Sequence, residues 1–138
     1  MLIEAEDWLD VPISLWPWPN FTPEEMACRE SREIKIDAAF MEKLQGLRDI
    51  IAAPLIITSG YRSPDHDVAV GGSGVHPTGR AADILCHGPK AIKVAKIALQ
   101  MFPGVGINQK GPHKGRFIHV DMMPPDDPAR PRPWIWTY

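Results

Sequence analysis

Fifteen prolines in 138 residues constrain this chain more than any other feature. Proline locks φ and has no amide hydrogen, so it is excluded from helix interiors and central strands. Elements must therefore fit between prolines, and each boundary should be sharp. Thr22-Pro23-Glu24-Glu25 reads as a helix start: Thr22 caps, Pro23 takes the first helical position and Glu25 completes a capping box. That helix should end near Cys28 to Glu30. A second begins after Asp37, its expected cap, and Pro54 stops it. Within it Phe40, Met41, Leu44, Leu47, Ile50 and Ile51 recur at helical spacing, which predicts one buried face.

Leu55 to Ser59 is β-branched and reads as a short strand. The stretch from Tyr61 to Gly79 contains Pro64, Gly71, Gly72, Gly74 and Pro77 and reads as a long loop. Long ordered loops in small domains tend to carry function. Arg80 to Leu85 reads as a strand and Pro89 to Met101 as a helix. Val105–Asn108 and Arg116–Asp121 read as two more strands, arranged as a hairpin. Residues 1–20 form a Trp/Pro-rich arm packed on the domain, and 122–138 a Pro/Trp-rich tail. Helices first, then strands with one more helix among them, predict a single α+β domain over 1–138. Its sheet should be small and mainly antiparallel, with helices packed on one side.

A net charge of −2 and the absence of a Lys/Arg run argue against nucleic acid as a partner. Hydrophobic residues at 44% and charged residues at 23% are an ordinary globular mix. No stretch is apolar enough to span a membrane. The start carries Glu4, Glu6, Asp7 and Asp10 instead of a basic and then apolar leader, so synthesis in a cytoplasm is expected, with delivery to any cell wall left to another agent. A monomer is expected. Cys28 and Cys86 lack metal or redox spacing and are expected as buried free thiols.

Five histidines exist, and two segments hold chemistry. In His76-Pro77-Thr78-Gly79-Arg80-Ala81-Ala82-Asp83, a histidine ends the Gly-rich loop and a carboxylate sits inside an apolar strand. A buried carboxylate needs a partner, and a metal is one. In Phe117-Ile118-His119-Val120-Asp121, alternation puts His119 and Asp121 on one face and the aliphatic pair on the other. Imidazole and carboxylate are zinc donors, and catalytic zinc sites use three of them. Each segment by itself also admits a plain structural reading.

Ser59-Gly60-Tyr61-Arg62-Ser63-Pro64, then His76 through Asp83, then Phe117 through Asp121 together resemble one family of zinc metallopeptidases. It includes the D-alanyl-D-alanine carboxypeptidases and the L-alanyl-D-glutamate endopeptidases of phages, and its fold is shared with hedgehog domains. The resemblance is greatest to short, endolysin-like phage and prophage members. It implies one zinc held by His76, Asp83 and His119, with Arg62 binding a substrate carboxylate or polarising the scissile carbonyl. It also implies hydrolysis of an amide bond in peptidoglycan stem peptides, in wall lysis or as part of a virion.

Two positions depart from the family pattern. Gly74 stands where Ser is common. Arg116 and Phe117 stand where relatives place the general base. Asp121 is then the leading base, or else it only holds the His119 ring. His113 is a further candidate for base or proton donor. Because the base is missing from its usual place, a weakly active zinc module for wall binding or virion structure is the alternative. Trp134 and Trp136 either wall the cleft or close the core.

Overall fold

The computed structural model describes all residues 1–138. The first proline-bounded helix, α1 (Pro23–Met26), is a single turn. The capping box forms as expected: Glu25 N–H donates to Thr22 Oγ1 and Thr22 N–H to the Glu25 carboxylate. The helix ends before Cys28, earlier than its composition predicts, because Ala27 is already extended. Helix α2 (Ala38–Ile51) buries Phe40, Met41, Leu44, Leu47 and Ile51, whereas Ile50 lies exposed. It stops at Ala52, which adopts the left-handed conformation two residues before Pro54. Asp37 occupies the cap position but makes no capping bond. Its carboxylate instead faces the N-terminal amine at 3.7 Å and Arg80 at 3.6 Å.

The arm and the long loop are more ordered than expected. Leu2–Ala5 is a strand, β1, antiparallel to β2 (Ile34–Asp37). Trp16 and Trp18 meet edge to face, and their indole N–H groups donate to Phe21 O and to Glu42. The expected loop contains helix α3 (Pro64–Ala69), capped by Ser63, and a 3-10 turn at His76–Thr78.

The main sheet has five strands: β3 (Ile56–Ser59), β4 (Ala81–Leu85), β5 (Gly104–Asn108), β6 (Phe117–Asp121) and β7 (Trp134–Thr137). Their order is β3-β4-β6-β5-β7. All neighbours are antiparallel except β5 and β7, so the tail returns as a parallel edge strand where only a tail was expected. The β5–β6 hairpin forms as read. Helix α4 (Gly88–Met101) packs with α2 against one face. Ile84, Val105, Ile118 and Val120 point into that core with Val94 and Ala98 of α4. The architecture is thus α+β, mainly antiparallel, with its helices on one side. Cys28 and Cys86 are buried and unpaired, and no helix is long and apolar enough to cross a membrane.

Candidate metal centre

Strand alternation decides what the face away from α2 and α4 carries. Register aligns Asp83 of β4 with His119 of β6, His119 with Gly106 of β5, and Gly106 with Trp136 of β7. The next row runs Ala81, Asp121, Gly104, Trp134, and the row on the other side runs Leu85, Phe117, Asn108. A two-residue period therefore presents two acceptors, an imidazole and the tail aromatics on one surface. The glycines of β5 make this possible. A Cβ on Gly106 would lie 2.6 Å from the Trp136 indole nitrogen, so only a bare backbone lets that ring lie over β5. The ring then comes within 5.1 Å of His119, centroid to centroid.

His76 arrives from outside the sheet. Its 3-10 turn ends in Gly79, whose φ is +77° and whose Cβ position lies 2.5 Å from the Lys35 carbonyl. A side chain there would meet both left-handed strain and a backbone clash. The turn is tied to β2 by Asp37 N–H donating to Gly79 O at 2.9 Å, which brings His76 over Asp83.

His76, Asp83 and His119 are all buried, and their donor atoms lie within 4.8 Å of one another. His76 Nε2 is 3.5 Å from Asp83 Oδ1, and His119 Nδ1 is 3.0 Å from the same oxygen. Zinc bonds of about 2.0–2.2 Å at tetrahedral angles separate neighbouring donors by about 3.3–3.6 Å, so the trio fits such an ion with small adjustment. The outer hydrogen bonds choose the nitrogens. His76 Nδ1–H donates to Gly60 O at 2.7 Å, leaving Nε2 free. His119 Nε2–H donates to Asp121 Oδ2 at 2.7 Å, leaving Nδ1 free. With a metal in place of any proton shared with Asp83, each inner nitrogen would present a lone pair to the ion, as a metal-ligating histidine must.

Charge follows the same plan. Burial alone would raise the Asp83 carboxyl, but hydrogen bonds from His119 and His76 outweigh it and hold the group well below the usual carboxylate range. Burial opposes charge on His119, yet the hydrogen bonds to Asp121 and Asp83 raise its pKa. The same two carboxylates would stabilise a metal cation in place of the proton.

Arg62 is braced as well as exposed to the cleft. Its Nε donates to Ser59 Oγ at 2.9 Å, Nη1 to Asp67 at 3.0 Å and Nη2 to the second Asp83 oxygen at 3.4 Å. Asp67, itself buried, also accepts Gly74 N–H at 2.8 Å and so holds the Gly-rich loop. Two guanidinium hydrogens of Arg62 remain for a ligand.

Two candidates for the base, Asp121 and His113, stand outside the cleft lining. Asp121 is 0% exposed, and both its oxygens are taken. Oδ1 accepts from Arg132 Nε and Met123 N–H, and Oδ2 from Arg132 Nη2 and His119 Nε2. Burial would raise this carboxyl, but the His119 and Arg132 hydrogen bonds bring it down to about 2. Asp121 holds the His119 ring and cannot reach a water in the cleft. His113 stacks on His87 at 4.0 Å, away from the cleft lining. Arg116 donates to Gly111 O, and Phe117 is part of the cleft wall.

The cleft beside the trio has a volume of about 580 Å³. Arg62, His76, His119 and the 70–75 loop line one side. The tail lines the other through Arg130, Arg132, Trp134, Trp136 and Tyr138. Trp134 and Trp136 therefore wall the cleft. Arg130, Arg132 and Tyr138 were not singled out from sequence. The Arg-x-Arg-x-Trp spacing was visible there, but nothing in it told of a return to β5.

A buried His/Asp/His trio, its outer nitrogens bonded to Gly60 O and Asp121 and set beside an open cleft on a sheet face, could hold one metal ion in the manner of hydrolytic enzymes. Residues 19–121 match the family model described as Peptidase M15, and the chain belongs to that family of zinc-dependent metallopeptidases. No curated protein matches the chain.

Proposed function

We propose that this M15 peptidase hydrolyses an amide bond in peptidoglycan stem peptides. The observation that carries the reading is the buried trio at the edge of a cleft whose charged lining, apart from the trio's own histidines, is all arginine: Arg62, Arg130 and Arg132. A peptide bearing several carboxylates, as wall stem peptides do, complements such a lining. The volume suits a few residues of peptide. The resemblance to phage wall peptidases extends the proposal to a role in wall lysis or virion entry.

His76, Asp83 and His119 would hold the zinc. The ion, when bound, supplies a water acidified toward neutrality and a Lewis acid for the scissile carbonyl. Arg62 donates its two free N–H groups to the substrate carbonyl or carboxylate. Its brace on Asp67 and Asp83 fixes the fork in advance, which strengthens electrostatic stabilisation. Phe117, Trp134, Trp136 and Tyr138 give that side of the cleft an aromatic wall.

Incubation of purified bacterial sacculi with the zinc-loaded protein, followed by mass spectrometry of the released fragments, tests the reading. Fragments cut within the stem peptide, absent with His76→Ala, are expected. Intact sacculi with a zinc-loaded wild type would overturn it. They would favour a second reading, a zinc module that binds wall peptides with little turnover. One observation favours that reading: no free carboxylate lines the cleft.

A further inference from the structure

Arg132 lies beyond the matched family segment, which ends at Asp121, yet it is among the most buried charges in the molecule, at 9% exposure. Its guanidinium grips Asp121 with two parallel bonds, Nε to Oδ1 at 2.9 Å and Nη2 to Oδ2 at 2.8 Å. Asp121 in turn accepts His119 Nε2–H at 2.7 Å. The other face of the guanidinium lies over Trp136, 5.1 Å from the ring centroid, and Trp136 lies against His119. Gly104 leaves the space: a Cβ there would sit 2.1 Å from Asp121 Oδ1 and 2.5 Å from Arg132 Nε.

We infer that Arg132 is a positioning residue for the metal centre, and that docking of the 122–138 tail and metal binding are one coupled equilibrium. This rests on the proposal that the trio binds zinc. The reasoning is local. A carboxylate 0% exposed needs both oxygens satisfied, and Arg132 satisfies them with the bidentate geometry that only Arg provides. With Arg132 gone, Asp121 loses its bidentate cation and is held only by the Met123 N–H at 3.2 Å and the His119 imidazole at 2.7 Å. The carboxylate then shifts in its pocket, which loosens the Nε2–H bond that orients the His119 ring and aims its Nδ1 at Asp83. Outer-shell partners of metal-bound histidines typically carry about 10–100-fold in metal affinity. Linkage makes the effect reciprocal: if the docked tail tightens zinc binding, zinc must tighten tail docking by the same factor. The tail is therefore a strap whose closure completes both the cleft wall and the metal site.

Zinc affinity, measured by competition with a chromophoric chelator, is compared among wild type, Arg132→Gln, Arg132→Lys, Asp121→Asn and the Asp121→Asn/Arg132→Gln double variant. Hydrogen exchange of peptides spanning 122–138 is followed with and without zinc. Arg132→Gln is expected to weaken zinc about 10–100-fold. Arg132→Lys, which keeps the charge and loses the fork, should weaken it less. The double variant should be no weaker than the worse single one, since the residues act in series. Zinc should slow exchange in the wild-type tail and leave the Arg132→Gln tail unchanged. Arg132→Lys carries the test if Arg132→Gln does not fold. Both arginine variants binding zinc as wild type does, or zinc leaving wild-type tail exchange unaltered, would overturn the inference. A wild type that binds no zinc is a separate result and removes the metal site itself.

Discussion

Asp121 shows how much one side chain can do without touching a substrate. Its carboxyl stands at about 2 in the folded protein against an ordinary 3.8. A carboxyl lowered by folding adds stability that is fully present above its unfolded value and is lost as the pH falls through the folded one. The window is therefore about pH 4 down to 2, and the amount is about 2 kcal/mol. Urea unfolding of Asp121→Asn should show a flatter loss of stability across that window than wild type. The slope should not vanish, because Asp83 is held low too. An unchanged slope would mean that Asp121 is not charged against Arg132 and His119 in the folded state. A second residue, Tyr138, offers one of only two hydroxyls in the cleft lining, the other being Ser73. Its ring packs edge to face on Phe117 at 5.0 Å. Tyr138→Phe keeps that contact and removes the donor, so kcat should fall by about 100-fold if the phenol transfers a proton or stabilises the oxyanion. Zinc content should be unchanged. Equal kcat would leave Tyr138 as wall only.

Among the elements, the three residues that cluster were legible and their setting was not. His119 followed from alternation in Phe117–Asp121, and Asp83 from a carboxylate flanked by Ala82 and Ile84. His76 stood out at the end of the Gly-rich loop, and the family resemblance joined it to Asp83 and His119. The choice between the two roles read for Asp121, and any role for Arg132, stayed hidden because both depend on the tail that ends in β7, a parallel partner of β5 joined through a proline-rich segment. Nothing local in Arg130 to Pro133 signals where such a chain lands. Strands β1 and β2 were missed because four residues leave little periodicity to read. Helix α3 was missed although Ser63-Pro64 repeats the cap-and-proline signal of Thr22-Pro23. The glycines after it outweighed that signal. At the end of α2, Ala52 sits at φ +56°. Glycine avoids the Cβ penalty of that conformation, so Ala52→Gly should stabilise by about 1 kcal/mol. Thermal unfolding about 4 °C higher is the expected readout. A lower midpoint would show that the Ala52 methyl contributes packing that outweighs the strain.

At the scale of the whole molecule, the sheet separates two jobs. One face builds the core with α2 and α4. The other carries no long helix, only the His76 turn and short α3 beside it, and holds the trio, the arginines and the aromatic wall. A metal on that second face ties together β4, β6 and the His76 turn, and through Asp121 and Arg132 the tail as well. Zinc should therefore act as a ligand of the folded state only. At a free concentration 100 times its Kd it adds about 2.7 kcal/mol, or about 10 °C in Tm for a chain of this length. Chelator should reverse the gain, and a Tm indifferent to both would show that zinc does not engage the folded site.

If His76, Asp83 and His119 form one zinc site, calorimetric titration of the stripped protein with zinc reads it out. One zinc per chain is expected for wild type and no specific binding for His76→Ala and His119→Ala, both verified as folded. A wild type without a saturable site, or a His76→Ala variant that still binds one zinc with wild-type affinity, would contradict it.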